Sequence, residues 1–345
     1  MVKLSFNTLF LRYALLGFLF CLYGCTGTQK KPDVSGMAIP LTTLRFEQSL
    51  FKADTNHILQ AMDSLLHLYP RFGENFLYTI LNVDPHWQGD TAAQYIKGFI
   101  QSYTPVYDTA EKIFADFTPY EKQIKEGMQY MKYYIPDYTL PSRIITYIGP
   151  LDGYGDILDE NSIIVGLHQH LGSQYSGYQS EWVQQTYPQY ITRRFTPQFI
   201  SINAMKNLID DRFPEKPADK SLAVQMVEKG KRLYLLQKLL PNTPEYNIIG
   251  YTEKQLADCY KHEASIWQLF VMNNLLQNTD NGTIKNYIGE SPKTQELGEA
   301  SPGNIGSFCG WQIVKKYMTE NEKLEPKELM ETDAEKIIEK AKYKP

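Results

Sequence analysis

The 345-residue chain is short of cysteine, of histidine and of positive charge. It holds four cysteines and six histidines. So few cysteines cannot build a disulfide scaffold, and a chain of this length buries a full core without one. Lys and Arg total 35 against 39 Asp and Glu, a formal net charge of −4. No basic surplus exists to neutralise a phosphate backbone, so nucleic acid is not expected as a partner. No apolar run reaches the roughly 20 residues that span a bilayer, which excludes a multi-span membrane protein. What is present is 43% apolar and 21% charged, with 25 tyrosines, some paired as in Tyr133-Tyr134. That composition is globular and excludes disorder, collagen and coiled coil as the main reading.

The first 25 residues read as an address. Lys3 and Arg12 give a positive start, and a mostly apolar stretch runs from Tyr13 to Leu22. It has the length of a signal-peptide core. It ends Leu22-Tyr23-Gly24-Cys25, which matches a bacterial lipobox. The thiol of Cys25 would take the diacylglycerol, and the small Gly24 would let the peptidase cut before it. Residues 1–24 are therefore expected to be a lipoprotein signal peptide. Residues 25–38 are short, polar and interrupted by Gly and Pro, as a flexible tether is. Residues 39–345 contain no linker-like stretch or internal repeat and are expected to form a single globular domain.

The pattern along that domain is α+β, mainly helical with a small central sheet. Ile39–Arg45 reads as a short strand. The 3.6 period over Thr55–Tyr69 puts Ile58, Met62, Leu65 and Leu66 on one stripe. Thr91–Tyr103 and Val106–Tyr134 read as helices, the second kinked or split by Pro119. Arg143–Ile148 and Ser162–Leu167 are β-branched runs, hence strands, with a turn at Leu151–Ile157 between them. Helices then follow over Pro197–Arg212, Ala218–Leu240, Thr252–Asn278, Pro302–Glu320 and Thr332–Ala341. Cys259 and Cys309 sit in helical patterns, either bridged or as two buried free thiols.

Three constellations could carry chemistry. His262-Glu263-Ala264-Ser265-Ile266 begins like the zinc-protease motif, but Ile266 stands where the second histidine would be. Glu263 falls in an apolar stripe with Leu256, Cys259, Tyr260, Trp267, Phe270 and Val271. A carboxylate there must be paired, hydrogen-bonded or neutral. It is either a buried acid held by an arginine, tyrosine or backbone group, or the carboxylate of a ligand-binding or residual active site. His168 and His170 follow a strand directly. If the strand continues they point the same way, and such a pair can bind zinc or copper when a third ligand joins. Asp152-Gly153-Tyr154-Gly155-Asp156 bends like a cation loop but lacks the spacing of a calcium-binding one. Gly303, Gly306 and Gly310 fall on one helix face, where another backbone is expected to pack close, the helix carrying Glu263 being the expected partner.

Taken in order, several stretches resemble the GldB family of gliding-motility lipoproteins from the Bacteroidetes. They are the lipobox, Asp152–Gly155, Val165–Gly172, Tyr187–Tyr190 with Arg193, and Ile249–Thr252. To these add the helix with Glu263 and Trp267, Ser301–Gly306, Gly310–Val314 and Lys342–Pro345. The resemblance covers nearly the whole processed chain. It implies a lipid-anchored cell-envelope protein with a role in gliding motility or envelope-associated assembly. It also implies a membrane contact through the lipid and an envelope protein partner. No acidic cluster follows Cys25, which points to a periplasm-facing protein. A fainter similarity runs to a family assigned as zinc-dependent proteases. Pro197–Arg212 would take the place of their metal helix, yet it holds no histidine, so the similarity implies a degenerate arrangement without its metal. On this reading no cofactor and no metal are expected, and the protein is more a binder than an enzyme. The candidate cleft residues are Glu263, His262, His168, His170 and Asp152. The alternative is a metal-dependent hydrolase or peptidase with an atypical site from His168, His170 and Glu263.

Overall fold

The two β-branched runs become the middle of a four-stranded sheet in the computed structural model, which describes residues 31–345. The signal segment, Cys25 and the first part of the tether lie outside the described residues. Strands β1 (Thr42–Arg45), β2 (Arg143–Tyr147), β3 (Ile157–Asp159) and β4 (Ser162–Gly166) lie in the order β1-β2-β4-β3. β1 and β4 run parallel to β2, with Thr42 opposite Arg143 and Ile144 opposite Ile163. β3, which was not expected, pairs antiparallel on the edge and begins at Ile157, the last residue of the stretch expected to be a turn.

The period-2 alternation of the strands divides the molecule into two cores. Ile145, Tyr147 and Ile164 face a smaller core; Ile144, Ile163 and Val165 face a larger one. Helices therefore cover both faces, which is why β2 and β4 read as continuous apolar runs. The smaller core is built by α1 (Phe46–Phe51), α2 (Ile58–Leu68) and the first half of α3 (Gly89–Ile113). Ile58, Met62 and Leu65 of the expected stripe are buried there. Phe46 sits at its centre, edge-on to Phe72 at 4.9 Å.

The larger core takes α4 (Thr118–Tyr134), α5 (Ile200–Arg212), α6 (Leu222–Leu239), α7 (Glu253–Lys261) and α8 (Glu263–Met272). It also takes α9 (Asn281–Ile288), α10 (Ile305–Glu320) and α11 (Ala334–Ala341). Residues Val34–Pro345 form one compact unit. Val34 is already buried, and Gln129 Nε2 donates to Met37 O at 2.8 Å, so the end of the expected tether is packed.

Four local expectations change. Helix α3 runs through Pro105 instead of stopping before it. The carbonyl that Pro105 cannot bond belongs to Gln101, which is exposed and can turn to water. The helix expected over Thr252–Asn278 starts as read, with a reciprocal capping box between Thr252 and Gln255. It then breaks at His262, whose backbone lies at φ −111°, ψ 18°, and ends at Met272. Gly303 lies outside α10, which begins only after Asn304 in a left-handed conformation. The glycine face of α10 meets α6, not the Glu263 helix. A Cβ on Gly310 would collide with the backbone carbonyl of Met226, and one on Gly230 with the backbone of Gly310. Two helices cross backbone to backbone at these glycines.

That contact reverses the usual sign of a helix substitution. Gly→Ala in an exposed helix gains about 1 kcal/mol, and Gly98 of α3, with open space at its Cβ position, should show it. Gly310→Ala should instead lose about 1–3 kcal/mol. Chemical denaturation of both variants checks the pair, and a stabilised Gly310→Ala would disprove the close crossing.

Candidate functional site

The chain leaves β2 at Tyr147, loops through residues 148–156, returns along β3 and β4, and turns at Leu167–Gln169. This places the Asp152–Asp156 loop beside His168 and His170, at the carboxyl ends of two parallel strands. Strand β4 ends at Gly166 and a 3₁₀ turn follows, so the two histidines do not alternate along a strand. Each reaches a different group.

His168 is fully buried. Its Nδ1 accepts from the Gly149 N–H at 3.0 Å, and its Nε2 lies 3.0 Å from the Tyr154 carbonyl. An amide only donates and a carbonyl only accepts, so the ring is neutral with its proton on Nε2. Burial pushes its pKa down to about 4, against the smaller opposing pull of the Tyr154 carbonyl and Asp156. Gly166 leaves the room: a Cβ there would lie 2.8 Å from the ring.

His170 is the opposite case. Its Nδ1 donates to the Thr196 carbonyl at 3.0 Å and its Nε2 to Asp156 Oδ2 at 2.8 Å. The side chains of His170 and Asp156 are 1% and 3% exposed, so this is a buried ion pair. Burial opposes the charge, but the Asp156 carboxylate and its hydrogen bond outweigh it, and the His170 pKa is raised. The carboxylate is saturated. Oδ1 accepts from the Gly166 N–H at 3.0 Å and Oδ2 also from Asn203 Nδ2 at 2.8 Å.

The rest of the loop is held the same way. The Gly153 carbonyl accepts from Gln169 Nε2 at 3.0 Å and Tyr187 OH at 2.7 Å. Tyr147 OH lies 2.5 Å from the Tyr154 carbonyl and 2.9 Å from that of Gly155. Asn207 Nδ2 donates to the Asp156 carbonyl at 3.2 Å. Every carbonyl from Gly153 to Asp156 thus faces a side-chain donor, and none is turned toward a cation. Asp152 is exposed on the outside of the loop, beside the 54% exposed ring of Tyr154.

The other two candidates lie elsewhere. His262 is exposed at the helix junction. Glu263 opens α8 and is half-buried rather than submerged in a stripe, because the break at His262 resets the helix face. It accepts a hydrogen bond from Tyr343 OH beyond α11, and Trp267 packs edge-on to that tyrosine at 5.0 Å. The carboxylate pins the C-terminal tail. It shares no partner with His168 or His170, so the three do not assemble into the alternative hydrolase site. Among the described residues no group of three or more His, Cys, Asp or Glu could hold a metal ion. Both ring nitrogens of each histidine are already spent within the protein. Cys259 and Cys309 are buried and free. Burial pushes the Cys259 thiol up to about 12 and Cys309 well above its usual range, so neither is a ready nucleophile.

The two histidines and the loop are legible in the sequence, but what joins them is not. Asp156 was visible at the end of the glycine-rich turn, and Asn203 and Asn207 lie one turn apart on α5. An i, i+4 amide pair on a helix with an apolar face was the available signal.

The family model described as gliding motility protein GldB matches residues 27–345. No curated protein matches, and no solved structure does.

Three outcomes follow from this geometry. Asp156→Asn would leave a buried imidazolium without its counter-charge and should cost about 3–5 kcal/mol, read by denaturant unfolding. The His168 shift adds a pH signature. The unfolded ring takes a proton below pH 6.5 and the folded one only near 4, so stability should fall by about 3 kcal/mol as pH drops across that window. His170, whose pKa is raised, stabilises at low pH and stops doing so as pH climbs through its folded value. A His168→Gln variant should lose the acid limb; retention of the full limb would contradict the assignment. Glu263→Gln, by contrast, should cost no more than about 1 kcal/mol, since a half-exposed amide oxygen still accepts from Tyr343. A loss near that of Asp156→Asn would put Glu263 in the core after all.

Proposed function

The chain belongs to the GldB family of gliding-motility lipoproteins, and from that premise we propose that it works as a lipid-anchored envelope scaffold that holds a protein partner rather than turning over a substrate. The observation that carries the reading is the spent state of the polar cluster at the strand ends. His168 has no free lone pair, His170 is held as an imidazolium, and Asp156 accepts three hydrogen bonds. General-base or metal-ligand chemistry needs an available lone pair on such groups. A scaffold needs the reverse, a loop held in one shape so that its outer face is presented constantly. That face carries Asp152 and Tyr154.

The proposed anchor is the diacylglycerol on Cys25, argued from Leu22-Tyr23-Gly24-Cys25. Among the described residues no helix is long and apolar enough to cross a membrane. The proposed side is the periplasm, from the lack of acidic residues directly after Cys25.

Cys25→Ser should abolish membrane fractionation or leave the unprocessed precursor. In the same preparation, crosslinking through a photoreactive group at position 154 should capture an envelope protein from the native membrane. A variant that matures and sediments with membranes as before would rule out the lipid anchor. A peptidase activity that depends on His168 would rule out the scaffold reading.

A further inference from the structure

A cavity of about 320 Å³ lies away from the histidine cluster, between α5, α6 and the N-terminal end of α10. Its inner wall is aliphatic, with Ile209, Leu233, Leu236, Ile249 and Ile288. Its rim is ionic, and the ions are counted off against one another. Arg232 pairs with Asp210 at 2.7 Å, Lys229 with Glu215 at 2.8 Å, and Arg194 with Glu290 at 3.0 Å. Lys206 also lines the cavity and is mostly buried. Among the described residues no carboxylate comes within ion-pair distance of its ammonium. Asn304 lines the same cavity; its Oδ1 accepts from Ser307 Oγ, and its Nδ2 meets no acceptor among the described residues.

We propose that this cavity binds an organic carboxylate with an aliphatic body, the head on Lys206 Nζ and the body against Ile209, Leu233 and Leu236. The carboxylates nearest Lys206, Glu290 and Asp210, are paired with Arg194 and Arg232 and favour its charge only at a distance, so burying that ammonium is costly and a ligand anion in direct contact lowers the cost. The three rim carboxylates disfavour a multiply charged anion such as phosphate, whereas one negative charge meets the one unpaired cation. The aliphatic wall gives the remaining contact, as in small-molecule sites that pair a few polar groups with an apolar lining. Burial, with the nearby Arg194 and Lys229 charges, outweighs the opposing pull of Glu290 and Asp210 and pushes the Lys206 pKa down to about 8. An anion at Nζ restores its proton affinity, so binding is tighter below pH 8 than above it and takes up protons near that pH. The inference concerns a different face from the strand-end cluster and does not rest on the scaffold reading.

The test uses the full chain in lipid nanodiscs and titration calorimetry. N-acetyl-leucine is the probe and its C-terminal amide the control. The acid should bind saturably at millimolar concentration, more weakly above pH 8, and the amide should not. Lys206→Met and Lys206→Gln should each weaken the acid about tenfold or more, the worth of one charge-assisted hydrogen bond. Their unfolding midpoints should match or exceed the parent's, because no protein partner of Lys206 is lost. Two further probes separate the sources of the carboxylate. Tighter binding of acetyl-leucyl-leucine than of 4-methylpentanoate identifies a protein C-terminus, and the reverse order a free short-chain acid. No saturable binding of the acid, equal binding of the amide, or unchanged affinity in both Lys206 variants would each overturn the proposal.

Discussion

Asp156 holds the strand ends together. Its carboxylate takes one hydrogen bond from the β4 backbone, one from His170 and one from Asn203 of α5. The loop, the end of β4 with the turn after it, and α5 therefore meet on one buried charge. A charge so placed is stable only while all its partners are present, so the loop, the 3₁₀ turn and α5 are fixed relative to one another. His170 passes the constraint on through Thr196, where the chain turns into α5. His168 and the tyrosines then fasten the loop carbonyls that would otherwise lack partners under the protein.

The same molecule solves its other packing problem without any polar group. A sheet of four short strands is too small to hold the helical half in place through its own surface. The α6–α10 crossing does so by backbone contact at Gly230 and Gly310, which brings Trp311, Phe308 and Met226 into full burial. The glycines give up helix propensity, about 1 kcal/mol each, and gain a separation that no side chain allows. The two arrangements are complementary: one fixes a polar loop through a charge, the other fixes apolar helices through the absence of side chains.

How much of this was legible in the sequence follows the range of each interaction. The strands β2 and β4, the α2 stripe and the Thr252 cap are set by residues within a few positions, and these were readable. The α+β order follows from them. Helix starts such as those expected at Val106 and Ala218 lie instead at Thr118 and Leu222. Strand β3 was missed because a three-residue edge strand between turns has no period to detect. The break at His262 carries no glycine or proline to mark it, and with it the expected burial of Glu263 failed. Partner identity was the weakest point. The glycine face announced a close crossing, yet nothing local says whether α6 or the Glu263 helix fills it. The histidine pair announced polar chemistry, yet the groups that saturate it come from Gly149, Tyr154, Asp156 and Thr196. Saturation is a property of the folded chain, and it turned an apparent ligand set into a clasp.

The functional account stands on that saturation, and the protonation states of the two rings report it directly. The measurement is ¹⁵N NMR of the histidine-labelled protein across pH, without and with added zinc. The account predicts a His170 ring protonated on both nitrogens at neutral pH. It predicts a His168 ring protonated on Nε2 alone down to about pH 4. Neither ring should respond to zinc. A neutral His170, a His168 that titrates in the ordinary histidine range, or a zinc-induced shift of either ring would show that lone pairs are available at this site and contradict the account.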